Sequence, residues 1–94
     1  MRRAIKLDEK DNVATAISTI TSGETIELDG TTIDIQEDVP LGYKIALKAF
    51  QKDESVYKYG EVIGVTTEAI EQGAIVHVHN VKSIRGITTK EQAQ

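Results

Sequence analysis

Both histidines of the 94-residue chain fall within Val76-His77-Val78-His79-Asn80-Val81, and imidazole is the side chain best suited to exchange a proton or bind a metal near neutral pH. The strict apolar-polar alternation predicts a strand over Ala74 to Val81. Period two then sets His77 and His79 on one face and Val76, Val78 and Asn80 on the other, with the two rings roughly 6 to 7 Å apart. From that separation both rings can tilt toward one ion or one substrate. Two imidazoles are too few to hold a catalytic metal, which takes about three protein ligands and keeps a position open. The pattern therefore reads either as part of a shared site or as two histidines on a solvated strand face.

Three other places carry groups with chemical use. Tyr57-Lys58-Tyr59-Gly60-Glu61 sets aromatic and basic side chains around a glycine turn. That arrangement suits either the binding of an anion by a hydroxyl and an ammonium, or a strand edge with Lys58 as a guard against edge-to-edge pairing. Lys44 follows the break at Pro40-Leu41-Gly42 and reads as a carboxylate-binding cation or as a surface lysine. Asp8, Glu9 and Asp11 cluster ahead of a predicted helix, where capping and the helix dipole account for them. A glycine-rich phosphate loop, a nucleophile elbow and a helical His-Glu-x-x-His motif are all absent from the sequence.

The balance of the chain narrows the partners. Eleven Lys and Arg against fifteen Asp and Glu give a net charge of −4, the wrong sign for tracking a phosphate backbone, and aromatic residues for base stacking are few. Nucleic acid is not an expected partner. With no cysteine, disulfides, thiolate zinc sites and a cysteine nucleophile are excluded. Met1-Arg2-Arg3 has the charge of a signal-peptide start, but Lys6, Asp8, Glu9, Lys10 and Asp11 interrupt any apolar run after it. No stretch is long and apolar enough to span a bilayer, so the expected location is the cytoplasm, away from the membrane.

Ninety-four residues make one core, with little room for a deep water-excluding cavity. A short strand is predicted over Arg3 to Leu7. Val13, Ala14, Ile17 and Ile20 recur at helical spacing behind Asp11 as N-cap, predicting a short helix over Asn12 to Ile20. Asp29-Gly30 between Thr25–Leu28 and Thr31–Ile35 predicts a type I′ hairpin. Strands are expected over Ser55 to Tyr59 and Glu61 to Val65, and a single helical turn over Thr67 to Ile70. One pattern recurs in Ile20 to Ile26, Phe50 to Val56 and Ile70 to Val76: an apolar residue, two mostly polar ones, a Gly or Asp corner, then entry into a strand. It predicts several short strands joined by helical turns and tight corners, with spacing too irregular for a solenoid.

Four motifs in a fixed order carry a resemblance: Asp11-Asn12-Val13-Ala14, Pro40-Leu41-Gly42-Tyr43-Lys44-Ile45-Ala46-Leu47, Tyr59-Gly60-Glu61-Val62-Ile63-Gly64 and His77-Val78-His79-Asn80-Val81. Together they resemble the N-terminal domain of the altronate and galactarate dehydratase family, from about residue 5 to Gly86. The resemblance implies a mainly β SAF-type β-clip fold with short helices over residues 1–87, followed by a polar tail, 88–94. In similar single-chain enzymes this domain precedes a much larger catalytic region. The resemblance therefore implies a small subunit, inactive alone, that works with a large catalytic dehydratase subunit.

Such an enzyme eliminates water from an aldonic or aldaric acid to give a 2-keto-3-deoxy acid. It uses a divalent metal, Fe2+ or Mn2+, here shared with the large subunit. By the same resemblance His77 and His79 become the expected catalytic residues and metal ligands, and Lys44, Tyr59, Gly60 and Asn80 the substrate-binding ones. Tyr43 departs from the family pattern, which often has histidine there, and so removes any role that needs an imidazole at that position. A small subunit of a sulfolactate sulfo-lyase, which expels sulfite rather than water, is the related alternative. A non-catalytic sugar-acid-binding or scaffolding module is the alternative from another class, and self-association of the isolated chain stays open.

Overall fold

The computed structural model describes residues 3–83, so the expected tail, 88–94, lies outside the described residues. Nine strands follow one another: β1 (Ala4–Ile5), β2 (Val13–Ala16), β3 (Thr25–Leu28), β4 (Thr31–Asp34), β5 (Lys44–Ala46), β6 (Ser55–Lys58), β7 (Glu61–Thr66), β8 (Ile75–Val76) and β9 (Val81–Ser83). They form a four-stranded sheet in the order β1-β2-β5-β8, the hairpin β3-β4 and a three-stranded sheet β6-β7-β9. Every pairing is antiparallel. No helix among the described residues is long and apolar enough to cross a membrane.

The mainly β expectation holds, but both expected helical segments are absent. Residues Val13–Ala16 form a strand instead, and Thr67 to Ile70 is a bend that ends in an isolated bridge between Ile70 and Phe50. Packing explains the first misreading. The sheet containing β2 and β5 is covered on both sides. Ala14 and Ile45 face one cluster with Ile20, Ile26, Ile33, Ile35 and Val39, while Val13 and Ala46 face another with Phe50, Val56, Ile70 and Val76. A strand buried on both faces loses the alternation that identifies strands, and its apolar residues then fit a helical period by accident. Burying an isoleucine such as Ile20 or Ile45 contributes about 1.5 to 3 kcal/mol, enough to override weak local preference.

The hairpin signal is observed as expected: Asp29 and Gly30, at φ 50° and 79°, join β3 to β4 in perfect register. The turn between β6 and β7 has the same backbone form at Tyr59 and Gly60, φ 59° and 75°.

The repeated corner is also present, in four copies rather than three. Val39 to Ile45 is the fourth, with Gly42 at φ 91° matching Gly23, Asp53 and Gly73 at 92°, 67° and 90°. The corners are β-turns, not helical turns; Glu24, Tyr43 and Ala74 donate their N–H to the carbonyls of Thr21, Pro40 and Glu71, each at 3.1 Å. The apolar anchors join in pairs, Ile20 with Val39 and Phe50 with Ile70.

The pairing makes the chain two equivalent halves, Ala16–Ile45 and Ala46–Val76. Ile35 N–H donates to Glu24 O as Thr66 N–H donates to Glu54 O; Gly23 N–H reaches Ile35 O as Asp53 N–H reaches Thr66 O. Gly42 and Gly73 likewise donate to Ala16 and Ala46. Equivalent positions stand thirty residues apart before the register shift in the β6-β7 pairing near Val56 and Tyr57, and thirty-one after it. That shift is the extra residue of a bulge.

Candidate functional site

The segment holding both histidines leaves the sheet directly after β8. The expected strand from Ala74 to Val81 is therefore corrected to Ile75–Val76, a turn over residues 77–80, and β9. Asn80 is the cause. Its side-chain oxygen accepts the His77 N–H at 2.8 Å, its amide nitrogen donates to Ile75 O at 2.8 Å, and its own N–H donates to His77 O at 3.0 Å. A side chain that satisfies the backbone locally competes with a ladder and closes a turn. Val78 is left at the tip, 81% exposed, while Val76 and Asn80 are buried.

The turn still brings the imidazoles together. Their centroids lie 6.5 Å apart, and His77 also packs on the Tyr43 ring at 4.7 Å. Tyr43, His77 and His79 thus form a short row of rings, positioned from one side by the Pro40–Gly42 corner and from the other by Asn80. Tyr43, read from the sequence only as a departure that removes an imidazole from this position, is here a packing partner of His77 and of the first core cluster.

Lys44 lies opposite Val76 in the β5-β8 register, one residue from His77. It lines a groove of about 280 Å³ with Ile63, His77, Val78, Val81 and Ser83. Burial holds the Lys44 ammonium below the usual lysine range, and the nearby Lys58 charge lowers it further. Lys44 shares its strand face with Ala46, and Lys58 shares its own with Val56, so both cations emerge at the rim of the second core cluster. Among the described residues no carboxylate pairs with either. Two unneutralised cations, one half-buried beside an imidazole, form a place for an anion.

Tyr59 and Gly60 do not line that groove. Their N–H groups are held by the two carboxylate oxygens of Asp11, at 3.1 and 2.8 Å, and a Cβ at Gly60 would stand 2.9 Å from the Asp8 carboxylate. Asp11 is therefore the clasp of this turn and not a helix cap. It stabilises a tyrosine in the left-handed region, which bulky residues rarely enter. The Tyr59 ring is 63% exposed, with the Lys58 ammonium 5.0 Å from its centroid. Lys58 links this turn to Lys44. Asn80 is placed inward, both polar ends of its amide engaged, so within this chain it fixes the histidine turn.

A divalent metal needs more donors than are present. Among the described residues no three His, Cys, Asp or Glu side chains gather in a metal-binding group. His77 and His79 alone fall short of a site.

The described residues thus form a nine-strand clip of two equivalent halves, with Lys44, His77 and His79 on one rim. The profile of the altronate/galactarate dehydratase SAF domain covers residues 2–84, and the chain belongs to that family. It is 37% identical over 83 residues to an altronate dehydratase of Bacillus subtilis, and 37% over 79 residues to one of Escherichia coli. These matches take in 88% and 84% of this chain but only 17% and 16% of those enzymes. It is also 38% identical over 65 residues to the alpha subunit of a (2R)-sulfolactate sulfo-lyase of Chromohalobacter salexigens, covering 68% of this chain and 69% of that subunit. The domain is thus related to lyases, and it spans about a sixth of the altronate dehydratases it matches.

Proposed function

We propose that this chain is the small subunit of a sugar-acid dehydratase and completes an active site with a larger catalytic chain. The observation that carries the proposal is the match over 69% of the length of a separate lyase subunit, together with altronate dehydratases in which the same domain is a small part. An incomplete set of groups on one rim supports it: two imidazoles and a half-buried ammonium, with no third metal donor among the described residues.

Elimination next to a carboxylate requires a base for a weakly acidic C–H, cations to hold the enediolate charge, and an acid for the departing hydroxyl. Lys44 binds the substrate carboxylate or enediolate, with Lys58 adding to the local positive potential. His77 or His79 protonates the leaving hydroxyl, and the larger chain supplies the base. A divalent metal, when bound, would add Lewis-acid stabilisation of the enediolate, with ligands beyond the two imidazoles drawn from the larger chain.

A sulfo-lyase subunit is the second reading, favoured by matches to alpha subunits over 69% and 72% of their length. The test co-produces this chain with a large dehydratase chain and follows 2-keto-3-deoxy acid formation from aldonic acids, and sulfite release from sulfolactate. Dehydration is expected, falling about a hundredfold or more in His77→Ala or His79→Ala. Unchanged turnover in both variants, or full activity of the small chain alone, would sink the proposal.

A further inference from the structure

Beside the bulge and the added strand β9, the two halves of the clip differ at the outer edge of their first hairpin strand, closed on β6 and open on β3. In the second half the outer edge of β6 is closed by Asp11 and Asn12. Asn12 N–H donates to Tyr57 O at 3.3 Å, the Asn12 side chain accepts Tyr57 N–H at 2.8 Å and donates to Ser55 O at 3.0 Å, and Asp11 takes the N–H groups of Tyr59 and Gly60. The equivalent groups of the first half are Thr25 O, Glu27 N–H and O, Asp29 N–H and Gly30 N–H.

These groups point away from β4. A two-residue turn makes Leu28 and Thr31 a hydrogen-bonded pair, so Thr25 and Glu27 turn their backbone groups outward. Among the described residues none of these groups has a hydrogen-bond partner outside the hairpin. Instead Thr25, Glu27 and Asp29 face a cleft of about 460 Å³ between β1 and β3, lined by Arg3, Ile5 and Lys6 and by the consecutive residues from Thr25 to Asp29. When successive residues of a strand line one cleft, its edge faces it and not a side-chain face.

We propose that this cleft takes an extended segment of the larger lyase chain, which adds to the β3 edge and places an Asp or Asn side chain on the Asp29-Gly30 turn. The internal equivalence defines the ligand chemistry, because the same backbone form at Tyr59-Gly60 already holds a carboxylate. Two successive left-handed N–H groups make an anion-binding concavity, and the cations that line the cleft are already paired, Lys6 with Asp29 at 3.6 Å and Arg3 with Glu24 at 2.9 Å, so the recognition falls to the backbone donors. The inference rests on the proposed function only for the source of the strand.

The test uses the folded chain with a synthetic peptide Lys-Asp-Asn-Val-Ala, the sequence of residues 10–14, as probe. In the free chain, backbone amides of Glu27, Asp29 and Gly30 exchange with solvent faster than those of Tyr57, Tyr59 and Gly60. The peptide shifts and protects the first set, and its Asp→Ala version binds on the order of tenfold more weakly. Glu27→Pro removes an outward donor without touching the hairpin ladder and abolishes binding, whereas Thr32→Pro, on the opposite edge, leaves it intact. Slow exchange at Glu27 in the free chain, or peptide shifts that map elsewhere, would overturn the edge. Peptide binding with no protection of these amides in the two-chain enzyme would overturn the occupant. The titration needs no larger chain, so its outcome is separate from that of the elimination assay.

Discussion

The Tyr43 ring packs on the His77 imidazole with centroids 4.7 Å apart and planes 33° from parallel. Tyr43 also rests on the first core cluster, so it transmits the position of the sheet to a histidine whose backbone is held by Asn80. Tyr43→Phe keeps the ring and leaves stability, and turnover of the proposed two-chain enzyme, near the parent values. Tyr43→Ala costs about 1 to 3 kcal/mol in urea denaturation, from lost packing and the aromatic pair. It also lowers kcat on the order of tenfold with KM little changed, because His77 loses its orientation. Equal activity in the alanine variant would show that the stack positions nothing.

The Gly73 corner is the tightest point of the repeat. A Cβ there would lie 1.8 Å from the Asp34 carbonyl oxygen, whereas at Gly23, with nearly the same φ, it would meet nothing within 4 Å. Gly23→Ala therefore bears only backbone strain, about 1 kcal/mol. Gly73→Ala must displace a backbone and costs about 3 kcal/mol or more, enough to unfold a domain of marginal stability. Thermal denaturation of the two variants side by side checks the order; equal losses would remove the distinction.

What was legible in the sequence follows from whether a signal was local. Asp29-Gly30 read correctly because a type I′ turn depends on two residues and little else. The corner repeat read correctly in position because Gly23, Asp53 and Gly73 are selected by backbone geometry, but its fourth copy was hidden by Pro40. The Asn12 to Ile20 helix failed because burial of β2 on both faces is decided by partners far along the chain. At the site, the pairing of His77 and His79 was legible, though for the wrong reason, since Asn80 closes a turn where alternation predicted a strand. Asp11 reads from the sequence as a helix cap, and Lys58 as an anion-binding ammonium or an edge guard, and neither reading reaches the turn clasp or the neighbour of Lys44 that the structure shows. Their partners are forty-eight residues away in one case and a like charge in the other.

Acid sensitivity should reside in the two equivalent corners. Glu24 is held below the usual carboxylate range by the Thr21 N–H and then by Arg3; Glu54 is held there by Lys48 and then by the Gln51 N–H. A carboxyl lowered in the folded state adds stability that is complete above its unfolded pKa and is lost as pH falls through its folded value. The urea midpoint should therefore fall as pH drops below about 4.3. The double variant Glu24→Gln, Glu54→Gln should lose less of it over the same range. Both corners are exposed, so the effect is modest and shrinks in high salt. An identical acid profile in the double variant would locate the sensitivity elsewhere.

The proposed role of Lys44 sets stability against function. Burial first, and the Lys58 charge second, hold its pKa below the usual lysine value, so its charged form is disfavoured on folding. At neutral pH that charge costs stability, and the cost fades as pH rises through the lowered folded pKa toward the ordinary lysine range. Lys44→Met removes it. The isolated variant should be more stable than the parent by a few tenths of a kcal/mol, since the group is partly exposed and screened, and the difference should vanish at high pH. In the proposed two-chain enzyme the same variant should lose substrate affinity, seen as a raised KM, because on that proposal the carboxylate no longer meets a cation in the groove. Substrate acid added to the parent complex should move the Lys44 ammonium back toward its ordinary pKa, which NMR of its side chain would record. A methionine variant that is both less stable and fully active would mean that this lysine is neither strained nor used.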